Sequence, residues 1–491
     1  IIVHRALSKI KADYSQVYLC VMIDGYVRCC INNTAGGGVN PIMTDGVKCT
    51  SFTIPATTIF NGQKCDVVAI AEEAFYDCSA LISITIPNSM KHIGEYAFRG
   101  CYALEKTNFM GEIADWCDIK FGGAYANPMS ASKNLYLNNQ EVKDLVIPNT
   151  VDSIHAYAFD CGNSITSVAL PNSVVYIGEG AFYRTYINEI IIPKSVTGIE
   201  ERVLSGCNAL TSIIVEEGNP VYDSRDNSNA IIETNSNTLI AGCATTDIPN
   251  TIMHIGPYAF SYLSSLNTIE IPNSVITIGD HAFYACSSLV SITIPNNVTS
   301  IGRWALYACY SLNSIVVEEG NSVYDSRNNC NAIIETATNS LIVACQNTVI
   351  PEGVTNIGEN AFFNCDALIN SNALTSIVLP NTIESIEAFA FRMCSSLDTI
   401  YCYAITPPTT NQYAFGNYNA TLYVPCASIA EYTAHEVWSL FTNIQCIEDV
   451  ETSIENTHSQ SPMTDCQKII RDGQLFIIHN GKTYNVMGQE L

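Results

Sequence analysis

Charged residues are scarce in this chain, and basic residues are the scarcest. Of the 491 residues only 14% are charged, and 22 Lys and Arg stand against 47 Asp and Glu, which gives a formal net charge of −25. Nucleic acids and anionic membrane surfaces are bound through Lys and Arg, so this balance disfavours both as partners. No apolar run reaches the roughly 18–20 residues that a transmembrane helix needs.

Motifs of the common catalytic and metal sites are missing as well. The sequence has no CxxC pair, no Cys/His spacing of the zinc type, no HExxH and no G-x-S-x-G. Gly481-Lys482-Thr483 looks like the end of a phosphate-binding loop, but Phe476 stands where its first Gly should be. We therefore expect a protein that is not an enzyme and has no cofactor.

The start of the chain lacks the features of a targeting segment. Residue 1 is Ile rather than Met, and residues 1–19 have no signal-peptide pattern. We expect a processed chain or a fragment. With 47% hydrophobic residues it has enough apolar surface for a large core, so disorder is excluded as the main state.

One phrase recurs along most of the chain. Its cleanest copy, from Ile271 to Pro295, reads IPNSVITIGDHAFYACSSLVSITIP. Its Phe marks a position, the core slot, which recurs mostly at intervals of 23 residues: Phe75, Phe98, Phe159, Phe182, Leu204, Phe260, Phe283, Leu306, Phe362 and Phe391. A unit this short cannot bury its own apolar face, so neighbouring copies must stack as a solenoid.

Each part of the phrase predicts a local structure. Alternation places Ile292 and Ile294 on one face of a short strand, which Pro295 ends. A Gly follows the next apolar pair in most copies, as Gly302 does, and indicates either positive φ or close backbone approach at a corner. The Ala-Phe-x-x-Cys-x-x-Leu segment has helical spacing and predicts a short α-helix or 3₁₀ turn.

The repeat also explains many of the 21 cysteines. Seven of them lie three residues after the core slot: Cys78, Cys101, Cys207, Cys286, Cys309, Cys365 and Cys394. Leu263 and Thr185 take the same place in other copies, so the position is a packing site for a buried thiol rather than a disulfide. Cys29, Cys30, Cys49 and Cys65 could pair near the start of the chain.

The quoted phrase resembles the consensus of the BspA-like, or Treponema-type, leucine-rich repeats over residues 68–402. The resemblance implies a leucine-rich-repeat solenoid, mainly β with short helices or 3₁₀ turns, whose parallel strands stack in a right-handed superhelix. It further implies a surface protein of Bacteroidetes type, located outside the cell or on its outer surface. Adhesion to host matrix proteins or other cells is the function that such a resemblance implies.

The repeat divides the chain into five regions. Residues 1–63 are predicted as an N-terminal β cap, residues 64–402 as the solenoid, and residues 403–447 as a C-terminal cap with an amphipathic helix at 427–441. Residues 448–466 have the composition of a linker. Residues 467–491 form a predicted β-hairpin around Asn480-Gly481, which resembles C-terminal sorting modules of exported Bacteroidetes proteins. A small cap that docks on another chain is the alternative.

Residues 106–144 break the period and predict a strand-bearing excursion on one side of the stack. They also carry the remote alternative, a carbohydrate-active enzyme, because Asp115, Trp116, Asp118 and Tyr125 could line a sugar site.

Residues 216–243 and 318–345 are near-copies of each other, which indicates duplication of a block of repeats. Their acidic residues could offer oxygen ligands to calcium: Glu216, Glu217, Asp223, Asp226, Glu318, Glu319 and Asp325. Pairing of Asp223 with Arg225 and of Asp325 with Arg327 is the competing explanation.

The candidate binding face consists of the strand residues that point away from the core. These outward residues are Thr85, Ala169, Ile191, Ile214, Glu270, Thr293, Val316, Val378 and Tyr401. Solenoid faces of this kind bind partners, so we expect a protein or glycan ligand to bind here. Ordinary β-propensity of Thr and Val, in a structural scaffold without a ligand, is the alternative.

Overall fold

The computed structural model describes residues 50–60, 63–363, 365 and 373–447, together with the strands Leu19–Ile23, Tyr26–Cys30, Cys466–Arg471, Gln474–His479 and Lys482–Asn485. The described residues between 50 and 447 form a β-solenoid whose coils repeat at a spacing of about 23 residues, in about 16 turns. The predicted leucine-rich-repeat solenoid is therefore confirmed, and stacking of its coils buries the core between them.

Each regular coil contributes a strand to a parallel ladder, which we call the first ladder. In Ser291–Ile294 the side chains of Ile292 and Ile294 are buried, Thr293 is exposed, and Ile292 pairs with Ile315 of the next coil. The first-ladder strands are Ser51–Thr53, Ser83–Pro87, Lys106–Met110, Leu135–Leu137, Asp144–Val146, Ser167–Ala169, Glu189–Ile192, Ser212–Val215, Ser291–Ile294, Ser314–Val317, Ser376–Leu379, Thr399–Cys402, Thr421–Val424 and Asn443–Cys446.

A second ladder runs through the strand that precedes each corner glycine. Its strands are mostly two residues long, and most of them bury an Ile, Leu or Phe in the core. They are Gln63–Ile70, His92–Ile93, Lys120–Phe121, Ser153–Ile154, Tyr176–Ile177, Gly198–Ile199, Thr238–Gly242, His254–Ile255, Thr277–Ile278, Ser300–Ile301, Ser340–Ala344, Asn356–Ile357 and Ser385–Ile386.

The corner glycines are needed for close approach, not for positive φ. A Cβ on Gly94 would lie 2.3 Å from Glu72 N, and one on Gly302 would lie 2.4 Å from Asp280 N. Real Cβ atoms do not come this close to backbone, so a side chain at Gly94 or Gly302 would force the neighbouring coil to shift. The sequence was compatible with both positive φ and close approach, and the contacts show that close approach is the reason.

The segment around the core slot is not helical, so the predicted helix or 3₁₀ turn is wrong. It is a run of turns in which the residues two before and two after the slot have positive φ, as at His281 (57°) and Ala285 (57°). Because residues with positive φ are interspersed with residues with negative φ, some N–H groups point to the next coil and others point back into their own coil. Phe283 N donates to Ala305 O of the next coil at 2.8 Å, while Tyr284 N donates to His281 O within its own coil at 3.0 Å. We call this third set of inter-coil bonds the turn ladder.

Aromatic rings and thiols fill the space beneath the turn ladder. Phe260 and Phe283 are fully buried and stacked, with ring centroids 5.2 Å apart. The thiol of Cys286 is free and buried, and it donates to Phe260 O of the preceding coil at 3.0 Å. Cys101, Cys207, Cys309 and Cys394 make the same bond to the Phe of the preceding coil. These five cysteines are thus packing residues that also satisfy a buried carbonyl.

Residues 106–144 are built into the stack, contrary to the predicted side excursion. Lys106–Met110 and Leu135–Leu137 extend the first ladder, and Lys120–Phe121 extends the second. Between them lie two short helices, Ile113–Cys117 and Met129–Ser132. Both helices direct apolar side chains into the core, so the segment is a wider coil rather than an appendage.

The two duplicated blocks have the same structure. Each inserts short antiparallel strands, Tyr222–Asp223 with Ala230–Glu233 and Tyr324–Asp325 with Ala332–Glu335, around a 3₁₀ turn at Arg225–Asn227 or Arg327–Asn329. The next strand, Thr238–Gly242 or Ser340–Ala344, returns the chain to the second ladder.

The ends of the stack differ in part from the prediction. Leu19–Ile23 and Tyr26–Cys30 form an antiparallel pair that extends the second ladder at Gln63–Ile70. At the other end the helix is only Ile429–Ala434, flanked by 3₁₀ turns at Cys426–Ser428 and Trp438–Leu440, because His435 is extended.

Two further differences concern the C-terminal residues. Cys426 and Cys446 form a disulfide that the sequence analysis missed, whereas the pairing considered for Cys29, Cys30, Cys49 and Cys65 concerns side chains outside the described residues. The tail has three antiparallel strands, Cys466–Arg471, Gln474–His479 and Lys482–Asn485, in place of the predicted two. Asn480-Gly481 and the linker residues 448–465 lie outside the described residues.

Candidate functional site

The outward residues of the first ladder are the candidate binding face, and the strand register places several of them side by side. Ile191 pairs with Ile214, Thr293 pairs with Val316, and Val378 pairs with Tyr401. Thr85 has Thr53 and Asn108 on its two sides, and Ala169 pairs with Val146. A parallel ladder keeps residues of the same coil position in line, so the outward residues of successive coils become neighbours.

Large apolar side chains on this face are exposed. Ile191, Ile214, Val316 and Val378 are 42–45% exposed, whereas the residues before and after each of them in the sequence are buried. Leaving such groups in water forfeits the free energy of burial, about 25 cal/mol per Å² of apolar surface. Clusters of them commonly mark contact surfaces.

Two residues of the face were missed by the sequence analysis. Val146 is 63% exposed, more than any of the predicted apolar residues of the face. Tyr423 pairs with Tyr401, and their rings stack with centroids 4.9 Å apart. Both lie where the 23-residue period is disturbed. Alternation of inward and outward residues in Leu145-Val146-Ile147 and Leu422-Tyr423-Val424 nevertheless indicated that they point outward.

Glu270 was predicted to be an outward residue of a strand, and it is exposed but does not lie in a regular strand. Its segment, residues 267–272, lies between the strands His254–Ile255 and Thr277–Ile278 and forms no regular strand. Its side chain is exposed, as expected.

The residues considered for an enzyme site do not converge on a cleft. Trp116 is fully buried and its indole Nε1 donates to Ala158 O at 2.8 Å. Asp115 accepts from Glu112 N at the start of its helix, and Asp118 is paired with Lys91 at 2.7 Å. A buried indole cannot stack on a sugar, so this set of residues does not form the site that was considered.

Four of the acidic residues of the duplicated blocks accept hydrogen bonds from neighbouring donors: Glu216, Asp223, Glu318 and Asp325. The Asp223 carboxylate accepts hydrogen bonds from Nε of Arg225 at 2.8 Å and from Nη2 at 2.6 Å. Asp325 accepts the same forked pair of hydrogen bonds from Arg327. The fork holds the pKa of the Asp223 carboxyl below its usual value, against the effect of burial. Among the described residues, no group of three or more His, Cys, Asp or Glu has an arrangement that could hold a metal ion. These contacts match the arginine-pairing explanation.

No helix in the described part of the chain is both long and apolar enough to cross a bilayer. The family model for the BspA type leucine rich repeat region matches residues 48–123, 130–226, 231–366 and 333–467, with six copies. No curated protein matches the sequence.

Several solved structures are similar to this chain. A leucine rich cell surface protein from Faecalibacterium prausnitzii is 23% identical, with a TM-score of 0.43, over 83% of this chain and 97% of that one. A leucine-rich repeat protein from Bacteroides ovatus is 22% identical, with a TM-score of 0.33, over 89% and 100%. The pneumococcal vaccine antigen PcpA is 18% identical, with a TM-score of 0.33, over 88% and 96%.

The family match spans both ladders, the turn ladder and both duplicated blocks, and so covers most of the chain. The chain belongs to the BspA-type leucine-rich repeat family.

Proposed function

We propose that this chain is a non-catalytic binding protein of the cell exterior, secreted or held at the outer surface, whose first-ladder face contacts a protein partner such as a host matrix protein. The observation that carries the proposal is the set of exposed apolar side chains in register on that face. Ile191 and Ile214 are adjacent and each is more than 40% exposed. The location rests on the family, which the sequence resemblance associates with display outside the cell.

The chemistry of the face favours a protein partner bound mainly through apolar contact. Its side chains are Ile, Val, Thr and Ala with a Tyr401–Tyr423 stack at one end, and aromatic anchors of this kind dominate protein interfaces. Charges on the face are few, Glu270 among them. We therefore expect an affinity that depends little on salt, since screening acts on charged contacts.

The test is binding of the full chain to a panel of purified host-matrix proteins at two salt concentrations. The variant Ile191→Ser/Ile214→Ser removes two adjacent exposed side chains without opening the core. We expect it to weaken binding by about tenfold or more, because central apolar anchors are worth over 1 kcal/mol.

Val175→Ser is the matched control. Val175 is 43% exposed, as Ile214 is, but it precedes the second-ladder strand Tyr176–Ile177 and lies off the proposed face. Equal loss in the control would show that the face is assigned wrongly. No binding to any protein of the panel at micromolar concentration would instead support a structural scaffold without a specific ligand, and would overturn the proposal.

A further inference from the structure

The two duplicated blocks differ at one point of the turn ladder. The first block lies between the coil of Leu204 and the coil of Phe260, and these two coils contact each other closely. Gly206 N donates to Ser261 O at 2.9 Å, and the hydroxyls of Ser205 and Ser261 are hydrogen-bonded at 2.6 Å. Small side chains at these positions let the two coils close on each other.

The second block lies between the coil of Leu306 and the coil of Phe362, and at the corresponding contact these two coils are held apart. Tyr307 and Phe363 take the positions of Ser205 and Ser261, and their rings pack with centroids 4.5 Å apart. In the described part of the chain no backbone hydrogen bond joins Ala308 to Phe363. The two rings act as a wedge, and a cavity of about 360 Å³ lies between the coils.

The cavity combines aromatic rings with polar groups. Trp304, Tyr307 and Phe363 contribute the rings, and Trp304 is 37% exposed. Arg303 lies 4.3 Å over the Trp304 ring, and its Nη2 is 3.5 Å from Glu359 Oε1. The remaining polar groups in the wall include Glu335, Gln346 and Asn360.

This combination restricts the chemistry of a ligand. A purely apolar ligand would remove these polar groups from water without offering them hydrogen bonds, which is costly. An anion would meet two carboxylates against one guanidinium. A neutral sugar satisfies both parts, because its C–H face packs on aromatic rings and its hydroxyls both donate and accept hydrogen bonds. The volume is at the lower end of the range for small-molecule pockets and suits one or two sugar rings.

We propose that the cleft between the coils of Leu306 and Phe362 is a binding site for a neutral saccharide. The site is separate from the first-ladder face, so it does not depend on the proposed function. Its walls come from the second duplicated block and the two coils that flank it. At the matching junction around the first block, the Gly206–Ser261 and Ser205–Ser261 hydrogen bonds join the two coils.

The first experiment titrates the full chain with glucose, galactose, mannose, N-acetylglucosamine and lactose while tryptophan fluorescence is recorded. Trp116 and Trp438 are fully buried, whereas Trp304 is partly exposed in the cleft wall, so a bound sugar changes the Trp304 signal. We expect saturable change for at least one sugar, with a Kd on the order of 1 mM or below. No change from any of the five up to about 20 mM, a limit corresponding to very weak binding, would overturn the proposal.

Two variants and one control locate the site, with binding measured by calorimetry. Tyr307→Ser/Phe363→Ser copies the first block, and we expect it to close the cleft and abolish binding. Trp304→Ala changes a partly exposed residue, leaves the fold intact and should weaken binding at least about tenfold. Arg202→Ala, at the position in the first block that matches Trp304, should leave the affinity unchanged. Undiminished affinity in the double variant or in Trp304→Ala would refute the assignment, as would an equal loss in Arg202→Ala.

Discussion

Asp160 is a buried carboxylate whose charge we expect to lower the stability of the coil around it. It follows the core-slot residue Phe159, it is 1% exposed, and within the described residues neither carboxylate oxygen has a hydrogen-bond partner. Burial raises the pKa of Asp160 from 3.8 to about 7, and the nearby Cys161 thiol and the positive charges of Lys133 and Arg184 offset only part of this effect.

The sign of the pH dependence follows from the two pKa values. Below about pH 4 the carboxyl is protonated in both the folded and the unfolded chain, so it contributes nothing to the difference. Between about pH 4 and 7 the unfolded chain releases the proton while the folded chain keeps it, so stability falls as the pH rises. A pKa of about 7 in place of 3.8 corresponds to about 4 kcal/mol of stability lost above pH 7.

Replacing Asp160 with Asn removes the charge but keeps the shape. We expect Asp160→Asn to be more stable than the parent chain by up to about 4 kcal/mol at pH 8, and nearly equal to it at pH 4. Urea unfolding at several pH values, followed by tryptophan fluorescence in a chain that keeps Trp116 and has Trp304 and Trp438 replaced by Phe, measures this difference locally. Trp116 is suited to the purpose because its indole is buried and bonded to Ala158 O, two residues from Asp160.

The control is Asp152→Asn, which changes an exposed carboxylate of the same coil. We expect it to alter stability by less than about 0.5 kcal/mol at every pH, as surface substitutions usually do. The reasoning fails if the difference between Asp160→Asn and the parent chain is the same at pH 4 and pH 8. Such a result would mean that water or a donor reaches the carboxylate in the folded chain.

Three further predictions concern the stack itself. Phe283→Ala should lower the free energy of unfolding by about 3–5 kcal/mol, because its buried ring stacks on Phe260; a loss below about 0.5 kcal/mol in urea titration would contradict the core assignment. Gly302→Ala should cost about 1–3 kcal/mol, because its Cβ would lie 2.4 Å from Asp280 N; an unchanged melting temperature would show that the corner can open. Cys286 should react with a thiol reagent far more slowly in the folded than in the urea-unfolded chain, because burial raises the pKa of its thiol; equal rates would refute its burial.

The solenoid could be predicted from sequence because its signal repeats. Ile292 and Ile294 occupy inward positions of a strand, Pro295 ends that strand, and the same pattern returns in coil after coil. An ambiguity at one coil is resolved by its neighbours, since every coil must stack on the next. The wider coil at residues 106–144 and the short helix Ile429–Ala434 were misjudged because each occurs once.

The turn ladder could not be predicted, because residue type does not reveal it. Positive φ is usually a signal for Gly or Asn, yet here it falls on residues such as Tyr258, His281 and Trp304. Hydrogen bonds to the next coil stabilise this conformation, and those bonds exist once the coils are stacked. The i, i+3 spacing of the core residues is shared by a helix and by successive turns, so spacing alone favoured the wrong structure.

The two candidate sites differ in what the sequence could reveal. The first-ladder face follows from alternation within a strand, a property of a few consecutive residues such as Ile213, Ile214 and Val215. The cleft depends on a pair of residues 56 positions apart, Tyr307 and Phe363, whose contact is visible through the fold.

The duplication explains how such a cleft can arise without loss of the fold. Each coil of a solenoid packs mainly on its neighbours, so a change at one junction leaves distant junctions undisturbed. The Ser205–Ser261 junction keeps its 2.6 Å hydrogen bond, while the matching Tyr307–Phe363 junction replaces that bond with a ring contact. Opening one junction therefore costs only the hydrogen bonds and packing of that junction, and the remaining coils retain both ladders. A long, regular stack tolerates a local binding site for this reason, whereas a compact core would have to repack around the same pair of rings.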